Sequence, residues 1–229
     1  MRRLIGLNVT MALAAFGLAA DEARAQQAQQ PPQPMSFFVT SRGVGDGANL
    51  GGLEGADRHC QTLAAASGAP GAGDRVWRAY LSTVTAGAVV GVDARDRIGT
   101  GPWFNRAGQL IAANVADLHG DFERDRNNIR KPTATDENGQ PVNGVGDTPN
   151  QHDILTGSNS LGRSILGAAN TTTCNNWTSN AEGRAMLGHH DRLGGANASW
   201  NAVHISSGCS QQNLVQTGGA GLFYCFAAN

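Results

Sequence analysis

The apolar positions fall into short runs separated by Gly, Pro, Asn and Asp, a spacing that suits brief strands better than long helices. Phe37-Phe38-Val39-Thr40 reads as a strand closed by the glycines at 43, 45 and 47. Over 52–66, Leu53, Ala56, Cys60, Leu63 and Ala64 recur at helical spacing, and Ser67-Gly68 with Pro70 stops the run, which predicts a helix carrying Cys60 inward. Val76 to Leu81 alternates large apolar groups with Arg78 and Ala79 and predicts a half-buried strand. Trp103-Phe104, the turn residues 105–108 and Leu110-Ile111-Ala112 predict a hairpin. Residues 117–153 hold few large apolar side chains and many Asp, Asn, Gly and Pro, and read as a long irregular loop, a kind of segment that often carries function. Short apolar segments return at 154–155, 174–177 and 200–205, and Leu222 to Phe226 reads as a buried strand ending the fold. No internal repeat is present.

The first 25 residues have a different pattern. Arg2 and Arg3 precede an uncharged apolar run from Leu4 to Ala20, and Ala23-Arg24-Ala25 offers small residues at the positions a signal peptidase reads. This is a secretory signal with cleavage expected after Ala25, leaving no membrane span. Residues 26–36, rich in Gln and Pro, read as a tether, so the domain is expected over 37–229.

Composition agrees with export. Without residues 1–25, which carry Arg2, Arg3, Arg24, Asp21 and Glu22, the 17 basic and 18 acidic residues become 14 and 16, a formal charge of −2. Lys131 is the single Lys and the Arg residues are scattered, so the basic face expected of a nucleic-acid binder is missing. Four Cys (Cys60, Cys174, Cys209, Cys225), none in a close C-x-x-C pair, point to two disulfides in an oxidising compartment rather than to zinc, and the location expected is secreted or periplasmic.

The order of Trp77-Arg78-Ala79-Tyr80-Leu81-Ser82, Arg97-Ile98, Leu118-His119-Gly120, Thr173-Cys174-Asn175-Asn176-Trp177, Cys209 and Leu222-Phe223-Tyr224-Cys225 resembles the C-type lectin-like superfamily. Within it the pattern is most similar to endostatin domains and bacterial secreted proteins of that shape. The resemblance implies an α+β fold of short antiparallel strands with one or two helices and long loops. It also implies nested disulfides, Cys60 with Cys225 and Cys174 with Cys209. The calcium-dependent sugar triplets of the superfamily are not matched: Gln140-Pro141-Val142 and Trp200-Asn201-Ala202 each lack a ligand.

Candidate chemistry is correspondingly spare. Asp117, Asp121, Glu123 and Asp125 form a local carboxylate cluster, and Asp136-x-Asn138-Gly139 is faintly similar to the start of a calcium loop; calcium is considered there, and otherwise no cofactor is expected. His189-His190-Asp191 is the most metal-like run, but neighbours in a strand face opposite sides, and the three read as surface polar residues. Trp103 and Trp200 are candidates to stack on a sugar ring, with His119 and Asn201 beside them as polar ligand contacts, whereas Trp77 and Trp177 read as core. No G-x-S-x-G, H-E-x-x-H or phosphate loop is present. The expectation is a non-catalytic module binding a carbohydrate or an extracellular protein. An envelope polysaccharide or cell-wall hydrolase and a structural envelope protein are the alternatives.

Overall fold

A computed structural model describes residues 33–121, 125–195 and 197–229. The expected signal segment 1–25, and the tether as far as Pro32, lie outside the described residues. The tether ends earlier than expected: Gln33 and Pro34 are exposed, but Met35 and Ser36 are buried, and Ser36 N–H donates to the Phe104 carbonyl at 2.8 Å.

The architecture is α+β. Its spine is β8 (Gly219–Ala227). β1 (Phe37–Val39) runs antiparallel to it, Phe38 opposite Cys225; β2 (Trp77–Ala79) pairs antiparallel on the other edge, Arg78 opposite Phe226. β5 (Asp153–Leu155) joins the first half of β8 in parallel, a departure from the all-antiparallel expectation. The sheet continues through β6 (Met186–His189) and β7 (His204–Ile205), both antiparallel. The predicted hairpin forms as β3 (Trp103–Phe104) and β4 (Leu110–Ala112), closed by the Gly108 N–H on the Asn105 carbonyl.

Side chains alternate across β8, so its near-continuous apolar run serves two cores. Leu222, Tyr224 and Phe226 pack with Phe37, Tyr80, Trp103 and Trp200. Phe223 and Cys225 pack on the opposite face with Phe38, Leu63, Trp77 and Trp177. The second core is covered by α1 (Gly52–Ala66), whose buried Ala56, Cys60, Leu63 and Ala64 are the positions that its periodicity singles out. Cys60 is bonded to Cys225, tying α1 to β8, and Cys174 is bonded to Cys209, the nested pairing the resemblance implies.

The remaining helices are short: α2 (Val115–His119), α3 (Ala169–Thr172) and α4 (Gln211–Gln216). Between α3 and β6, Cys174, Asn175, Asn176 and Trp177 all adopt positive φ (45°, 56°, 53° and 67°), a left-handed turn that costs L-residues energy. Its geometry is held by Asn176, which accepts from the Val84 N–H and donates to the Val84 carbonyl (both 2.9 Å), and by Trp177 Nε1, which donates to the Ser82 carbonyl.

The long segment 117–153 is irregular as expected, yet packed. Ile129, Ala134 and Val142 enter the core of Phe37, Tyr80, Trp103 and Trp200, the Val39 N–H donates to the Thr135 carbonyl, and the Ser41 hydroxyl donates to buried Glu137. Among the described residues, no helix is long and apolar enough to cross a membrane.

Candidate metal centre

Strand register builds the site. Asp153 on β5 stands directly opposite His189 on β6. His204 on β7 pairs with Leu187, two residues from His189, which makes His204 its diagonal neighbour on the same face of the sheet. Asp153 Oδ1 lies 2.9 Å from His189 Nε2 and 3.3 Å from His204 Nε2, and the two Nε2 atoms are 3.0 Å apart. Side-chain exposure is 1% for Asp153, 5% for His189 and 38% for His204, so the triangle opens toward solvent at His204.

The protons on these groups point elsewhere. His189 Nδ1 lies 2.7 Å from Asn197 Oδ1 and donates to it, and the Asn197 amide lies 3.4 Å from Asp191 Oδ1. His204 Nδ1 faces the Ile205 carbonyl at 3.4 Å. With Nδ1 as the donor, each Nε2 presents its lone pair to the triangle, an orientation that metal-binding imidazoles acquire from such outer partners. Neither oxygen of the buried Asp153 carboxylate has a partner at hydrogen-bond geometry. Two imidazole nitrogens and one carboxylate oxygen thus converge on one point, and a cation there, a metal ion or a proton on one imidazole, offsets the cost of burying the carboxylate.

Electrostatics follow the same geometry. Burial alone raises the Asp153 carboxyl, but the His189 and His204 imidazoles outweigh it and hold it below the ordinary carboxylate range. Asp153 in turn lifts His204 above the usual imidazole value against the opposing effect of burial.

His152 lies beside the triangle without completing it. Its Nε2 is 3.2 Å from Asp153 Oδ1 and its Nδ1 is 3.6 Å from Asp191 Oδ1. Its ring stacks on His189 with centroids 4.0 Å apart and planes 27° from parallel. An imidazole binds a metal in its ring plane at about 2.0–2.1 Å, and two planes so nearly parallel at that separation do not share one ion. The rings of His189 and His204, 70° apart, do converge. His152, His189 and Asp191 also offer donor atoms within 4.8 Å of one another, but the stacking and the His189–Asn197 bond favour the first set. Asp191 is held by the Val145 N–H at 2.7 Å; burial raises its carboxyl, and His152 with that N–H more than offsets the effect, keeping it far below the ordinary range. The backbone closes in at Gly218 and Gly219, where a Cβ would come within 3.0 Å of His152 Nε2 and of Asp153 Cβ.

The residues singled out from sequence lie elsewhere. Asp117 pairs with Arg126, Asp121 makes a two-pronged pair with Arg95 (2.8 and 2.6 Å), and both oxygens of Asp125 accept from the single Nη1 of Arg192 (2.9 and 2.8 Å). Each carboxylate is neutralised by its own arginine, so these three do not gather around a calcium ion; Glu123 lies outside the described residues. Trp103 and Trp200 are corrected from sugar platforms to core: both are at most 1% exposed. Trp103 donates to the Ala227 carbonyl, and Trp200 sits against Tyr80 and Tyr224. His119 and Asn201 are likewise buried, bonded to the Tyr80 hydroxyl at 2.8 and 3.0 Å, so neither meets an external ligand.

His189, His190 and Asp191 are not surface residues either; all three are buried. The alternation that separates the two imidazoles does hold, His190 turning away to the Asn143 carbonyl. What sequence reading missed were the partners Asp153 and His204, whose one local trace is a His or Asp at the end of a short apolar segment. No protein-family model matches the chain, and no curated protein matches it.

Proposed function

We propose that this protein is an exported binding module of C-type lectin-like fold that works through a divalent transition-metal ion, zinc in class, held by Asp153, His189 and His204. The observation that carries the reading is the convergence of two imidazole nitrogens and one carboxylate oxygen, 2.9–3.3 Å apart, with no hydrogen-bond partner for the carboxylate. Ligands about 2.0–2.1 Å from a zinc ion stand about 2.8–3.4 Å from one another at bond angles between square and tetrahedral. Two nitrogens and one oxygen favour zinc or its first-row neighbours over calcium or magnesium, which take all-oxygen sets. The fold reading is supported by pairing of β1 with β8, by the helix-to-strand bond Cys60–Cys225 and by the long irregular segment between. Export is supported by two disulfides that use all four cysteines. The module's ligand is a carbohydrate or an extracellular protein.

The test is metal content after dialysis against zinc, read by atomic emission, with calorimetric titration. The expected result is one equivalent per chain in the wild type, lost in both Asp153→Asn and His204→Ala. His204 lies at the rim, so its truncation leaves the cores intact. Wild-type protein that retains no metal, or variants that bind as well as it does, would overturn the assignment.

A further inference from the structure

We infer that the metal face is left open for an anionic oxygen donor, a carboxylate of the ligand, that coordinates the ion directly. The inference rests on the metal reading above and adds what the ion is for.

Three observations lead there. First, the protein supplies a triangle of donors, and the nearest further group, His152, is kept out of the coordination shell by stacking on His189 at 4.0 Å. Metal sites with three protein ligands leave positions for an exogenous group, whereas structural zinc sites are closed by four. Second, the triangle has one exposed member. Asp153 and His189 are enclosed and His204 is not, so the open positions lie on its side. Third, the coordination shell is short of negative charge. A dication held by two neutral imidazoles and one carboxylate keeps a net charge of +1 within the shell. The other carboxylate nearby, Asp191, is turned to the Val145 N–H and the Asn197 amide and does not enter that shell. An incoming carboxylate neutralises the centre, and a buried charge with a partner costs far less than one without.

His152 is then a positioning residue. Its Nε2 lies 3.2 Å from Asp153 Oδ1 and its ring stacks on His189, so it packs against two of the ligands without itself joining the triangle. Carboxylates outside the cell come from uronic acids of acidic glycans or from peptide C-termini, and the chemistry at the metal is the same for both.

Cobalt(II) in place of zinc makes the coordination visible in the d–d absorption of the purified protein. Acetate is the first probe, and it is expected to shift the bands saturably. Trigalacturonate and an N-acetylated dipeptide with a free C-terminus then distinguish the sources, the true class competing acetate away at lower concentration. In His152→Ala the band positions should stay as in the wild type while cobalt affinity falls roughly 10- to 100-fold, the range typical of an outer-shell partner. Cobalt bound with bands that none of the three probes moves would overturn the inference and leave the metal reading standing, as would a His152→Ala spectrum with one ligand fewer. Failure to bind cobalt at all would instead remove the metal reading itself.

Discussion

Replacing His119 by Gln should remove a large part of the protein's acid sensitivity. His119 is buried in α2, its Nδ1 donating to the Val115 carbonyl at 2.9 Å and its Nε2 accepting from the Tyr80 hydroxyl, which itself accepts from Asn201 Nδ2. A proton on Nε2 has no acceptor there, and burial lowers the imidazole from 6.5 to about 4, with the Arg95 charge adding to the effect. Between those values the unfolded chain binds a proton that the native state refuses. Stability is therefore fully present above the unfolded value and is lost as the pH falls from 6.5 toward about 4. At about 1.4 kcal/mol per unit, the whole window is worth roughly 3 kcal/mol. For a domain of this size that is roughly 6–12 °C in melting temperature. Gln keeps an acceptor for Tyr80 and does not titrate. Urea denaturation of wild type and His119→Gln at a series of pH values gives the difference directly, with all other titrations common to both. The wild type should lose about 2.5 kcal/mol more than the variant between neutrality and about pH 4.5. Parallel curves for the two proteins would refute the account of a neutral, buried imidazole.

Three further outcomes follow from the structure. Zinc at a hundredfold excess over its dissociation constant should stabilise the protein by about 2.7 kcal/mol, read as a rise in melting temperature that a chelator reverses and that His204→Ala lacks. Removing the Cys60–Cys225 bond, which closes a separation of 165 residues, should cost about 5 kcal/mol against about 4 for Cys174–Cys209, which closes 35, on the chain-entropy account. Denaturant titration of the two double Ser variants should show that order. Asn175→Gly should stabilise by up to about 1 kcal/mol, because exposed Asn175 sits at φ 56° and ψ 51°, where Gly is unstrained; a lower melting temperature would show that its bond to Thr178 matters more.

Local pattern was informative wherever one segment alone decides its burial. The helical spacing of Leu53, Ala56, Cys60 and Leu63 gives α1, and the apolar run before Phe226 gives the spine strand. The metal triangle was not legible in this way. Its members come from strands of three, four and two residues, and periodicity reports which face a residue takes, never which strand will lie beside it. Alternation correctly separated His189 from His190, but it carried no information on Asp153 across the ladder. The aromatic residues show the converse difficulty. Trp103 after a Gly-Pro pair and Trp200 among small residues read the same whether the ring meets solvent or Phe226 and Tyr224. Two of the acidic residues were misread for a similar reason: Arg95 and Arg192, which neutralise Asp121 and Asp125, lie 26 and 67 residues away.

The spine strand also sets the order of events when the chain is made. Among the described elements, β1 and β2 have their ladders on β8, β5 pairs with β8 on one side and β6 on the other, and β8 follows every other described element in sequence. A nascent chain that has yet to deliver residues 219–227 has two half-cores, no shared strand between them and no partner for Cys60. The pairings of β1 and β2 with β8, and the Cys60–Cys225 bond, join residues far apart in sequence, and contacts of that kind form slowly.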